Sequence, residues 1–269
     1  MTLPVSAFII CHNEAAVIER CLRSVAFCGE IVVVDSGSTD GTLDIIARLR
    51  DTDGLPIRLF HQDWLGFGAQ KQFALDQCRL DWCLSIDSDE RVSRRLAQAL
   101  PDMIARQDVA GWRLTRYDYL PGYGYVPPSA HWFNNRLFRR GRGRFDPSDR
   151  VHEGIHIDGR IEKAPRGGLL HFRPVTLDTQ MLKENRYSTL KAAMKAERGI
   201  PPKPWKMVFS PPLYFLRSYI GRGQWRCGWA GFIHSANGAV YSYLTEAKRW
   251  ESERLKQVPP VEPEEPEGY

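Results

Sequence analysis

Four short apolar runs constrain this chain more than anything else in it. Val5–Cys11, Ile31–Val34, Ile57–Phe60 and Trp82–Ile86 are short, and each stops at a polar or turn-forming stretch. A run of this length closed by turn signals reads as a strand buried on both faces, as in a parallel sheet. Between the runs, apolar residues recur at helical spacing: Val17, Ile18, Cys21, Leu22 and Val25, then Ile45, Ile46 and Leu49, then a stretch from Gln70 to Cys78. Strands alternating with helices predict an α/β fold, a mostly parallel sheet flanked by helices.

In open α/β sheets the functional crevice lies at the carboxyl ends of the strands. The fourth run ends in Asp87-Ser88-Asp89-Glu90, so both aspartates would emerge there. At i, i+2 spacing they can serve one hard cation or its water shell. Equally, Asp87 can cap the helix that starts near Ser93, with the rest a solvated turn. Glu14 and Asp35 follow the first and second runs. Each acid alone also reads as a helix cap, but acids at three strand ends of one sheet are more specific than any member. The first turn, Cys11-His12-Asn13-Glu14, lacks the glycines of a dinucleotide site, and neither a phosphate-loop lysine motif nor a G-x-S-x-G elbow occurs. The six cysteines form no C-x-x-C pair, which reads as buried reduced thiols rather than zinc ligands.

Beyond Arg91 the pattern changes. Ser93–Ala105 reads as a helix, Trp112–Tyr117 as a half-exposed strand, and Arg136–Arg140 and Ile155–Ile157 as short strands. Tyr119–Trp132 is rich in aromatics, Gly and Pro, as suits a shaped surface over a cleft. A helix is expected from Leu177 to Arg198. The net charge of +5 is unevenly placed: residues 183–256 carry 14 basic and 5 acidic residues, whereas 1–182 are balanced. From Gly199, aromatic and apolar residues interleave with basic ones and with prolines. Such a segment suits the interface of an anionic membrane, and equally a helical hairpin packed on the body. No run is long and apolar enough to cross a bilayer, and the first residues lack a basic leader, so no signal peptide is expected.

Three blocks together carry a resemblance: Ile9-Ile10-Cys11-His12-Asn13-Glu14, Val33-Val34-Asp35-Ser36-Gly37-Ser38-Thr39-Asp40-Gly41-Thr42 and Ile86-Asp87-Ser88-Asp89-Glu90. In order and spacing the chain resembles family 2 inverting glycosyltransferases of the GT-A fold. More narrowly it is similar to bacterial lipopolysaccharide core β-1,4-glucosyltransferases, through Phe67–Leu75, Asn135–Arg140, Val151-His152-Glu153 and Lys183–Tyr187. The segment Gly221–Gly228 departs from that pattern.

The resemblance implies a GT-A domain over 1–175, with a nucleotide-sugar half (1–91) and an acceptor half (92–175). The residue pattern adds a helical basic region over 176–256, open to membrane association or to packing as a hairpin, and a disordered Pro- and Glu-rich tail over 257–269. The resemblance also implies a nucleotide-sugar donor, UDP-glucose, and a lipid-linked acceptor, at the inner face of the plasma membrane. Asn13, Glu14, Asp35, Lys71, Asp87, Lys183 and Arg186 would bind the nucleotide sugar, with Asp35 at the uracil and Asp87 at the ribose. Asp89, with His171, would hold Mg²⁺ or Mn²⁺, a choice that oxygen-rich ligation supports. Inversion needs a base for the acceptor hydroxyl, and Glu153 or Asp149 would supply it. Each of these also reads structurally: Lys71, Lys183 and Arg186 as solvated helix residues, His171 as a buried structural histidine, Glu153 as an ion-pair partner. Transfer to a polyprenyl phosphate normally goes with membrane-spanning helices, which are not seen. Nucleic-acid binding by the basic aromatic segment and a silent scaffold are the readings from other classes, and a scaffold has no need of several acids in one crevice.

Overall fold

The computed structural model describes residues 2–126, 132–145, 154–172 and 176–257. The first apolar run forms β1 (Leu3–Cys11), which has a parallel partner on each side. On one side lies β2 (Cys28–Asp35), with Ile9 opposite Val33. On the other lies β4 (Trp82–Ser85), with Ala7 opposite Leu84. β3 (Ile57–His61) extends the sheet beyond β2. The linking helices are α1 (Ile18–Ser24), α2 (Thr42–Asp51) and α3 (Phe67–Asp76). The chain therefore builds outward to β3 and then returns across β1, so the strand order reverses between β1 and β4. Strand ends diverge at such a switch point and leave a crevice.

Alternation along the strands divides the core into two layers. Val5, Ala7, Ile9, Ile31 and Val33 pack with Ile18 and Leu22 of α1, Ile46 and Leu49 of α2, and Leu96 and Leu100 of α4 (Arg94–Ala105). Phe8, Val32 and Val34 face the opposite way, onto Ala74 and Leu75 of α3. This is why the runs are apolar throughout rather than alternating. Ser93 caps α4, its hydroxyl accepting the Leu96 N–H, so Asp87 is not that cap.

The second half of the sheet is mixed. β8 (Trp132–Arg139) runs antiparallel to β4 and to β6 (Gly111–Leu120), which carries the two-residue β7 (Gly124–Tyr125). β11 (Ile161–His171) is parallel to β6 and antiparallel to β5 (Glu90–Val92). β9 (Gly143–Phe145) and β10 (Ile155–Ile157) form a separate antiparallel pair. The two- and three-residue strands β5, β7 and β9 were not expected, because so few residues carry no period. β11 shifts register between Lys163 and Gly168. Here Gly167 has φ +71°, and a Cβ on it would lie 2.3 Å from the Leu96 nitrogen. Only glycine fits a turn this close to the start of α4, and β11 continues past it to pair His171 with Asp118 and Glu90.

Two compact units are distinguished, Met1–Tyr119 with His131–Arg173, and Leu120–Ala130 with Pro174–Tyr269. The second contains α5 (Leu177–Glu197), α6 (Trp205–Leu216) and α7 (Gly228–Gln257). A π-helical turn (Arg217–Gly221) and a 3₁₀ turn (Gln224–Cys227) join α6 to α7. α7 packs against both other helices. Lys248 on α7 donates to the Asn185 carbonyl at 2.7 Å and to the Ser188 hydroxyl at 2.9 Å, which locks it to α5. Among the described residues no helix is long and apolar enough to cross a membrane.

At the end of the sheet away from the crevice, one buried carboxylate ties four segments together. Glu30 on β2 accepts from Ser6 on β1 (2.5 Å), Arg58 on β3 (2.5 Å) and the Arg79 N–H before β4 (2.9 Å). Burial opposes its charge, but these donors outweigh that and hold its pKa below the ordinary value. The resulting stability is present above the unfolded pKa and is lost as pH falls through the lower folded value. Glu30→Gln is expected to cost about 1.5–3 kcal/mol at neutral pH, the range for hydrogen bonds to charged groups. Urea unfolding should show the difference from wild type shrinking below about pH 4.

Candidate active site

Three neighbouring strands, β2, β1 and β4, deliver their carboxyl ends to the crevice. After β1 the chain turns at Asn13, whose φ of +55° is the one positive value at a non-glycine position among the described residues. Asparagine tolerates this conformation better than most residues. Its side-chain oxygen accepts the Thr39 N–H at 2.8 Å, and its own N–H donates to Ser38 Oγ at 2.8 Å. The Glu14 N–H donates to Thr42 Oγ1 at 2.8 Å. The first and second turns are thus stitched into one ledge.

Asp35 ends β2 and is 2 % exposed. One carboxylate oxygen accepts the N–H groups of Gly37 and Ser38 at 2.8 and 2.9 Å, and the other accepts from the Ser38 hydroxyl and, at 3.6 Å, the Cys11 thiol. Burial pushes its pKa up, but the Ser38 and Gly37 donors prevail and leave it below the ordinary value. Asp35 therefore stays ionised while it shapes the Ser36–Ser38 turn.

Asp87 is held by two cations. Arg136 of β8 grips it in a fork, at 2.7 Å to one oxygen and 3.3 Å to the other, and Lys71 of α3 reaches it at 2.8 Å. Lys71 is 4 % exposed, so it is not a solvated helix lysine. Its neighbour Gln70 fixes α3 by donating to Ser36 Oγ and to the Gln62 carbonyl. Glu90, with no exposure, accepts the Asp87 N–H at 3.1 Å and lies 3.2 Å from Arg136. Burial raises the pKa of both acids. At Asp87, Arg136 and Lys71 overcome it and drive the value well below the ordinary range. At Glu90 burial, helped by the charge of Asp87, keeps the value raised.

Asp89 faces His171, with Oδ2 3.3 Å from Nε2, and the other ring nitrogen of His171 lies 3.0 Å from Asp118 of β6. Burial would lower the His171 pKa, but Asp118 and Asp89 outweigh it and raise it to about 9. A histidine oriented by a carboxylate through its far nitrogen has the arrangement common at metal sites. A carboxylate oxygen beside an imidazole nitrogen is a donor set that a small hard cation could use. Once His171 gives up its Nε2 proton, the pair could present one oxygen and one nitrogen to Mg²⁺ or Mn²⁺. Among the described residues no group of three or more His, Cys, Asp or Glu is arranged to hold a metal alone.

Glu153 and Asp149 lie outside the described residues. Lys183 and Arg186 are exposed on α5, in the second unit. Arg136, Glu90 and Asp118 were not anticipated as site residues. No local signal singled out Arg136, which shares β8 with Asn134, Asn135 and Arg139.

The model for the family described as Glycosyl transferase family 2 matches residues 6–156. The chain belongs to glycosyl transferase family 2. A relative from Rhizobium meliloti (strain 1021), the lipopolysaccharide core biosynthesis glycosyltransferase LpsC, is 50% identical over 97% of each chain. An uncharacterized glycosyltransferase of Rickettsia bellii is 29% identical over 92% of this chain and 86% of its own. The mannosyltransferase PcManGT from Pyrobaculum calidifontis, solved with GDP-Man and Mn²⁺, shares the GT-A fold. Its TM-score is 0.51 at 16% identity, over 97% of this chain and 77% of that one. The expected fold class is thereby established: the sheet is parallel through its first four strands and mixed beyond them, where β6 and β11 are again parallel.

Within this family 2 site, removing Arg136 leaves Asp87 with one cation and Glu90 without its guanidinium. Arg136→Ala is expected to destabilise the protein by about 3–5 kcal/mol, the cost of breaking a buried pair. Arg136→Lys should recover part of it, because lysine supplies charge without the fork. Denaturant titration of both variants tests the order wild type, Lys, Ala.

Proposed function

We propose that this enzyme transfers a hexose, glucose from UDP-glucose, with inversion, to a lipid-linked acceptor, an inner-core heptose of lipopolysaccharide. The observation that carries the reading is the set of acids at strand ends: Asp35 ends β2, Asp87 follows β4, and Asp89 meets His171 at the end of β11. The 50% identity to a relative named for lipopolysaccharide core biosynthesis supports the acceptor class.

In this reading Asp35 receives a base N–H. The Cys11 thiol, its longest contact at 3.6 Å, is the one such a group would displace. Asp87, kept anionic and rigid by Arg136 and Lys71, accepts from a ribose hydroxyl through its remaining lone pair. Asp89, and His171 once its Nε2 proton is released, would hold the cation. Bound there, it would neutralise the charge that grows on the departing nucleoside diphosphate. Glu153, with Asp149 as the alternative, takes the proton from the acceptor hydroxyl as the new bond forms at the anomeric carbon.

Calorimetric titration with UDP, ADP and GDP, each with Mn²⁺ or EDTA, tests the donor class. UDP binding that depends on Mn²⁺ is expected, and equal binding of all three nucleotides would refute the uracil assignment. Asp89→Ala should remove the Mn²⁺-dependent part of the UDP affinity; an unchanged metal dependence would dismiss Asp89 as a ligand. Glu153→Gln should bind UDP normally and lose transfer by about 10²–10⁴-fold, the usual share of general base catalysis. Near-normal turnover would move the role to Asp149.

A further inference from the structure

The second unit turns an apolar face outward. α6 has no buried residue, although its sequence is Trp-Lys-Met-Val-Phe-Ser-Pro-Pro-Leu-Tyr-Phe-Leu. Trp205, Val208, Phe209, Leu213, Leu216 and, in the following turn, Ile220 recur at three- and four-residue steps and are each more than half exposed. That is the spacing of one helix face, and here it points into solvent. The start of α7 repeats the pattern with Trp229, Phe232 and Ile233, and Trp229 is 80% exposed. Phe232 joins the two rows through ring contacts with Phe215 and Tyr219, at 5.3 and 5.9 Å.

The charge around this face has one sign. From Arg198 through Thr245 the chain contains no acidic residue. Lys206 lies over the ring of Trp205 and Arg226 over that of Trp225, at 5.7 and 5.2 Å, so cations border the exposed aromatics. Lys203 and Arg217 are exposed beside them. Tyr241, by contrast, lies under Lys191 of α5 and belongs to the helix packing.

We propose that the outward stripe of α6, continued by Trp225, Trp229, Phe232 and Ile233, is a docking surface that inserts into the headgroup region of an anionic lipid bilayer. Indole rings prefer that depth, and lysine and arginine reach from it to lipid phosphates. A second copy of the chain fits less well, since a self-complementary contact would bring two acid-free basic rims together. The inference gives the lipid-linked acceptor a physical meeting place, and it rests on that reading only for its purpose.

The test uses the full chain without donor or acceptor, with phosphatidylcholine vesicles containing about one-third phosphatidylglycerol, an anionic surface of the kind basic segments recognise. Wild type should co-float with these vesicles, and bilayer-brominated lipids should quench its tryptophan emission. The Leu213→Ser/Trp229→Ser variant should bind at least about tenfold more weakly, equivalent to 1.4 kcal/mol. Its UDP affinity should be unchanged, which also verifies folding and separates this result from failure of the nucleotide assignment. Wild type that ignores vesicles, or a variant that binds them as well as wild type, would overturn the proposal. So would a wild-type dimer that the same variant dissociates, which would assign the face to a second copy.

Discussion

The contact between Asp87 and its two cations holds together what the rest of the site needs. Asp87 follows β4, Arg136 comes from the antiparallel β8, and Lys71 comes from α3 on one face of the sheet. A lone carboxylate in this position would bear the full cost of burial, and a lone arginine likewise. Together they are compensated, and the loop after β4 is pinned from two directions. Asp89 begins from a defined place because its neighbour cannot move.

The Asp89–His171 pair depends on a second set of constraints, in the mixed half of the sheet. β11 shifts register between Lys163 and Gly168 before His171 meets Asp89, and Asp118 on the adjoining strand holds the ring from its other nitrogen. The two sets differ electrostatically. The Asp87 cluster keeps one acid ionised by surrounding it with cations, and the second keeps a histidine charged by placing it between carboxylates. A cation bound at Asp89 and His171 would therefore have to displace the imidazole proton.

Local chemistry made much of this legible. Short apolar runs with helical segments between them specify strands buried on two faces, and so the layers and the strand ends at which acids collect. Asn13, Asp35, Asp87 and Asp89 could be named because each follows such a run directly. Arg136 and Asp118 could not. Both sit inside strands whose partners are 49 and 53 residues away in sequence, at Asp87 and His171. Lys71 looked the same from its own neighbours whether solvated or buried, and only the placement of α3 over the β4 end decided between them.

The C-terminal region shows the same division from another side. Its aromatic and basic composition was readable, and so was its helical character. Which aromatics pack and which face outward was not, because a period of 3.6 marks a face without saying what that face meets. The sequence by itself determined the alternation of strands and helices, the acids at the strand ends, and the family to which they belong. Tertiary structure alone decided which cations pair with which acids and which apolar stripe stays uncovered. Those choices depend on contacts between residues far apart in the chain, where local propensity has no influence.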